Sequence, residues 1–251
     1  MNNQVYYTYL LRMADDTLIL GQRLSEWCGH GPILEEDIAL SNIALDYIGQ
    51  STNIYKHLAS LTEDGRDEDA IALTRMESEY SNALLMELPN GDYATTIARQ
   101  YYYSSFYLLF LEHLKGSSDV FLSGFAEKSI KEVKYHVQHA TDWMLRLGDG
   151  TQESHSRMQQ AVSGLWPYLG ELFRDDELDV IASKEGWGIA RDALKTAWTD
   201  RLNALFAEAR LTVPTEAWYH YGGRSGRHTE HMGYLLAELQ FLQRAYPGAK
   251  W

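Results

Sequence analysis

Lys128-Ser-Ile-Lys-Glu-Val-Lys-Tyr-His-Val-Gln-His-Ala-Thr-Asp-Trp-Met-Leu-Arg-Leu147 carries a repeat that a helix explains and a strand does not. Ile130, Val133, Val137, Ala140, Met144 and Leu147 recur at steps of three and four. That is the seam of a helix packed lengthwise on other helices. A second stripe, Ser129, Glu132, His136, His139 and Trp143, runs beside it, turned by about a quarter of the circumference at 3.6 residues per turn. A carboxylate and an imidazole at the edge of a seam are the materials of a metal site built inside a helical bundle.

Outward from this stretch the chain reads as helix throughout. Only 5 prolines interrupt 251 residues, and Val-rich alternating runs are absent, which favours an all-α chain. Core helices are expected near 4–27, 36–61, 93–115 and 119–148, with Pro32 followed by Glu35, Glu36 and Asp37 as one helix start and Asp92 as another cap. Tyr101, Tyr102, Tyr103, Phe106, Tyr107 and Phe110 mark the helix near 93–115 as the most enclosed. Residues 66–88 read as a polar helical segment on the surface. Shorter helices are expected near 154–173, 176–183, 190–209 and 228–246. With no linker and no short repeat, residues 1–251 read as one domain, a four-helix core carrying extra C-terminal helices.

Composition removes several functions. A net charge of −13 argues against nucleic acid, whose phosphates are held by clustered cations. Cys28 is the only cysteine, so no internal disulfide forms and a reducing, cytoplasmic setting is expected. No secretory segment opens the chain and no run matches a membrane span.

The spacing then decides the metal question. A carboxylate-bridged di-iron bundle takes one carboxylate from each of two helices and Glu-x-x-His from each of the other two. On the second helix Asp46 stands at the carboxylate position, but Gly49 stands where the imidazole belongs. The stripe Ala39, Asn42, Asp46, Gly49 and Asn53 is expected to face the interior of this otherwise apolar helix. On the fourth helix Glu132 and His136 are four apart rather than three. If His136 fills the imidazole slot, Val133 fills the carboxylate slot. If Glu132 fills the carboxylate slot, Tyr135 fills the other. Asp46, Gly49, Glu132 and His136 therefore read as degenerate positions and no metal ligand, catalytic residue or cofactor-binding residue is assigned. His228 and His231 have helical zinc spacing with no third ligand singled out. Gly222-Gly-Arg-Ser-Gly-Arg227 offers Arg224 and Arg227 to an anion or a partner, but without the lysine and strand of a P-loop a connector is the plainer reading.

Several blocks together resemble one family. Arg23-Leu-Ser-Glu-Trp-Cys-Gly-His30, Ile43-Ala-Leu-Asp-Tyr-Ile-Gly-Gln50, Pro89-Asn-Gly91, Thr96-Ile-Ala-Arg-Gln-Tyr101, Lys131-Glu-Val-Lys-Tyr-His136, Arg227-His-Thr-Glu-His-Met-Gly233 and the terminal Gly248-Ala-Lys-Trp251 are similar to the PaaC family. These are ferritin-like subunits of the multicomponent oxygenase that epoxidises the ring of phenylacetyl-coenzyme A. The resemblance implies a ferritin-like bundle and a non-catalytic structural role. It implies a catalytic alpha subunit as partner in a hetero-oligomer, with self-association left open. It also implies di-iron on that partner and no cofactor on this chain. It assigns no catalytic residue here. The alternative is an active di-iron oxygenase with an unusual ligand set. A further idea gives Arg224 and Arg227 a contact with coenzyme A phosphates or an acidic reductase.

Overall fold

Asp119 caps the helix that contains the opening stretch, its carboxylate accepting from the amide of Leu122 at 2.8 Å. In the computed structural model of the protein, which describes residues 3–215 and 218–249, this helix is α6, Val120–Gly148. Lys250 and Trp251 of the terminal block lie outside the described residues. The other three long helices are α1 (Asn3–Ser25), α2 (Leu34–Ser60) and α5 (Tyr93–Leu114), each end within two residues of its expected place. Shorter helices follow: α3 (Glu68–Leu73), α4 (Leu84–Glu87), α7 (Gln152–Leu165), α8 (Gly170–Phe173), α9 (Glu177–Lys184), α10 (Lys195–Glu208), α11 (Glu230–Leu239) and α12 (Phe241–Ala245). No strand occurs among the described residues, so the fold class is all-α with the long helices of a ferritin-like bundle. No helix among them is long and apolar enough to cross a membrane.

Backbone contacts divide the chain into two compact units, Met1–Pro89 with Tyr221–Trp251, and Asn90–His220. The first is built on the hairpin α1–α2 and the second on the hairpin α5–α6, each closed by a short loop that makes its helices antiparallel neighbours. The loop before α2 is fixed by Asp37, whose carboxylate accepts from the amide of Gly31 at 3.0 Å. Backbone amides, Gly31 first, hold the pKa of Asp37 below the usual carboxylate value.

In the second unit every residue from Thr96 to Leu111 is buried, which makes α5 its centre. A helix covered on all sides must satisfy its polar groups locally. Ser105 does so by donating to the Tyr101 carbonyl at 2.6 Å while its oxygen accepts from the Trp198 indole at 2.8 Å. Tyr102 donates to the Val162 carbonyl at 3.2 Å. α7 packs along α5, and α10 reaches both α5 and α6.

Residues 66–88 depart from expectation. They form two short helices and a 3-10 turn, Glu77–Glu79, rather than one surface helix, and Ile71, Tyr80, Asn82 and Leu84–Glu87 are buried. The reason lies on α1. The amides of Ser81 and Ala83 donate to the carboxylates of Asp15 and Asp16, each at 2.8 Å, so they are not free for a helical ladder.

Close backbone approach fixes the C-terminal end of α6. A Cβ built on Gly148 would stand 2.5 Å from the carbonyl oxygen of Ala209, just past α10. Gly148→Ala should therefore destabilise the chain by about 1–3 kcal/mol, against the usual gain from replacing a helical glycine. Urea unfolding of the two proteins measures it, and equal midpoints would show the contact to be slack.

Candidate functional site

The positions that matter for a metal pair are set by the phase of α2 and α6. On α2, which packs on α1 and α3, the buried residues are Glu36, Ala39, Leu40, Ile43, Ala44, Tyr47, Gln50, Ser51, Ile54, Tyr55 and Leu58. Asn42, Gly49 and Asn53 are exposed and Asp46 is half-buried; of the stripe expected to face inward only Ala39 is buried. The helix looked apolar all round because Leu34, Ile38 and Leu45 are apolar, yet these three are exposed. One residue on from Asp46 and Gly49, Tyr47 and Gln50 are buried in their stead.

On α6 His136 and Val133 are fully buried while Glu132 is half-buried and Tyr135 exposed. Of the two registers left open by the sequence, the one with Val133 and His136 is the one that faces inward. A bridged pair of iron ions draws on anionic oxygens and imidazoles at these places. Taken each by itself, the phenol and amide of Tyr47 and Gln50 on α2, and the valine and single imidazole of Val133 and His136 on α6, do not supply that donor set. Among the described residues no group of three or more His, Cys, Asp or Glu side chains is placed to hold a metal ion.

The strongest polar chemistry sits in the first unit and was not singled out from the sequence. Asp15 and Asp16 are adjacent and buried in the centre of α1, between Met13-Ala14 and Leu18-Ile19-Leu20. Asp15 accepts from the Tyr55 hydroxyl at 2.6 Å and from both terminal nitrogens of Arg75, one of them at 3.0 Å. Burial and the neighbouring Asp15 charge push the Tyr55 phenol well above its usual pKa. Burial likewise pushes the Tyr80 phenol up to about 12, and that ring lies 4.0 Å from the Arg75 guanidinium carbon. Asp16 takes a two-pronged pair from Arg224, at 3.0 and 2.7 Å, and Arg224 also donates to the Ser81 carbonyl at 2.9 Å. Two carboxylates side by side within an apolar run were the available signal, since buried charges require partners.

Arg224 therefore departs from the role of an anion or partner contact. Its terminal nitrogens are engaged inside the chain with Asp16 and Ser81, and it holds the 3-10 turn Gly223–Ser225 against α1. Gly226, at φ +72°, passes so close to the Ser78 carbonyl that a Cβ would stand 2.1 Å from that oxygen. Arg227 is exposed. His228 is also structural. Its Nδ1 lies 2.7 Å from Glu87 Oε2 and its Nε2 3.1 Å from the Tyr80 carbonyl oxygen. Both partners accept, so both ring nitrogens must carry protons, which is the imidazolium form. Burial works to lower the His228 pKa, but the hydrogen bond and charge of Glu87 outweigh it and the value lies above the ordinary 6.5. Thr229 caps α11 and also donates its amide to Glu87 Oε1 at 2.5 Å. His231 is half-buried and shares no such cluster with His228.

Comparison with known proteins gives two results. The family described as Phenylacetic acid catabolic protein matches residues 1–251. The chain is also 46% identical over 251 residues to an Escherichia coli (strain K12) protein described as one of the subunits of 1,2-phenylacetyl-CoA epoxidase, covering 100% of both chains.

Two outcomes follow from the buried pairs. Arg75→Met leaves the Asp15 carboxylate buried without its cation and should cost about 3–5 kcal/mol in denaturant unfolding; a loss under about 1 kcal/mol would mean the pair is solvated. For His228, a raised folded pKa contributes stability fully present below the unfolded value of about 6.5 and lost as pH rises through the folded value. The stability gap between wild type and His228→Gln should be widest on the acid side and shrink as pH rises. A gap that is constant with pH, or widens, would show that His228 is neutral in the fold.

Proposed function

This chain belongs to the phenylacetic acid catabolic protein family, and we propose that within it the chain is a non-catalytic structural subunit. On this reading it pairs with, and stabilises, the di-iron catalytic subunit of a phenylacetyl-CoA 1,2-epoxidase in aerobic phenylacetate degradation. The assembly is a hetero-oligomer of the cytoplasm, with the iron on the partner. The whole-length likeness to a protein described as belonging to such an epoxidase supports the setting.

The observation that carries the non-catalytic part is the identity of the buried pairs, Tyr47 with Gln50 and Val133 with His136. Iron pairs in helical bundles are neutralised by carboxylates, and imidazoles complete their coordination. None of these four side chains is a carboxylate, so neither pair offers the counter-charge that iron ions need. The long apolar seams that shape the helices are untouched by that exchange, so a subunit that has lost the donors keeps its form.

The test is subunit-resolved. This chain and the catalytic subunit are expressed in iron-replete medium, separately and together, and analysed by gel filtration and metal analysis. The expected outcome is a joint complex, about two iron ions per catalytic subunit, and substoichiometric iron on this chain. Separate elution with full oxygenase activity from the catalytic subunit alone would overturn the pairing. Stoichiometric iron on this chain alone would establish the active-enzyme reading in its place.

A further inference from the structure

The exposed side of α2 carries apolar side chains at Leu34, Ile38 and Leu45, of which Leu34 is 71% and Leu45 65% exposed. Thr52 continues the line, so the steps along it are four, seven and seven residues. At about 100° per residue all four positions fall within one narrow stripe, the spacing of a seam that takes the side chains of a second helix. Beside the line Gly49 leaves space: a Cβ there would meet nothing within 4 Å.

Thr52 also forms part of the wall of a cavity of about 200 Å³, all of it within the first unit. Ile48, Leu73 and Leu239 give it apolar walls, and Glu68 and Asp69, in the first turn of α3, bring two carboxylates to it. A third carboxylate, Asp67, caps that helix. The cation against them is Lys56, itself exposed and 3.6 Å from Glu68. Burial, with the charges of Asp67 and Glu68, raises the pKa of Asp69, and Lys56 offsets this only in part. An apolar trough ending in an undercompensated negative corner fits a long cationic side chain, whose methylene stem suits the walls while its head meets the carboxylates.

We propose that this strip is the seat for an amphipathic helix of the catalytic subunit, with an arginine or lysine of that helix reaching into the cavity against Glu68 and Asp69. The inference rests on the reading of this chain as a docking subunit and adds to it the face used and the chemistry of the contact. A second copy of this chain is a poorer occupant. It brings a net charge of −13 and a carboxylate-bearing strip of its own.

The experiment measures the affinity of this chain for the catalytic subunit, with wild type, Leu45→Asp, the double variant Glu68→Lys/Asp69→Lys, and Tyr234→Asp as a control on a different exposed helix, α11. Thermal unfolding of each confirms that it is folded; should Leu45→Asp fail to fold, Leu34→Asp reads the same seam. Leu45→Asp and the double variant should each weaken binding by about tenfold or more, with Tyr234→Asp unchanged. The effect of the double variant should shrink in about 0.5 M salt, where exposed charges are screened. A wild-type complex that neither variant weakens removes this face and leaves the docking role standing. Absence of any wild-type complex removes both. A homodimer of this chain that Leu45→Asp splits assigns the strip to a second copy and overturns the proposal.

Discussion

Two adjacent carboxylates on a buried helix govern how the first unit is put together. Asp15 and Asp16 point about 100° apart on α1, so they cannot share one cation and each must find its own. Asp15 takes Arg75 and Asp16 takes Arg224. A buried charge without a partner costs several kcal/mol, so residues 75–83 and 222–225 are obliged to come to α1. The Glu87–His228 pair repeats the device, linking the short helix α4 to the segment that leads into α11. Much of what looks irregular in this unit is chain held in place by three ion pairs rather than by secondary structure.

The same physics bears on the buried faces of α2 and α6. A cluster of carboxylates inside a bundle is tolerable when cations sit among them and repulsive when they do not. Tyr47, Gln50 and Val133 carry no charge, and with them the buried faces of α2 and α6 are stable without ions. Helix packing depends on Leu40, Ile43, Ile130, Ala140 and their neighbours, all of them independent of the donors.

The four long helices were legible in the sequence to within two residues because their signals are local. The seam of α6, the enclosure of α5 and the cap Asp92 follow from spacings of three and four residues and from a carboxylate placed before an apolar run. The phase of α2 did not, because Leu34, Ile38 and Leu45 made both sides of that helix equally apolar. Only packing against α1 and α3 chose the buried side, and it moved the relevant pair from Asp46 and Gly49 to Tyr47 and Gln50.

By itself, then, the sequence determined an all-helical chain with four long helices and a net negative charge. The tertiary structure alone decided which carboxylate meets which cation, since Arg75 lies 60 residues from Asp15 and Arg224 lies 208 from Asp16. It alone turned residues 66–88 from a surface helix into buried connecting chain, and Arg224 from a candidate contact into a strut. Helical periodicity is written about every 3.6 residues and can be read from any window. The partner of a buried charge is chosen where distant segments return to the same place, and no local pattern encodes that return.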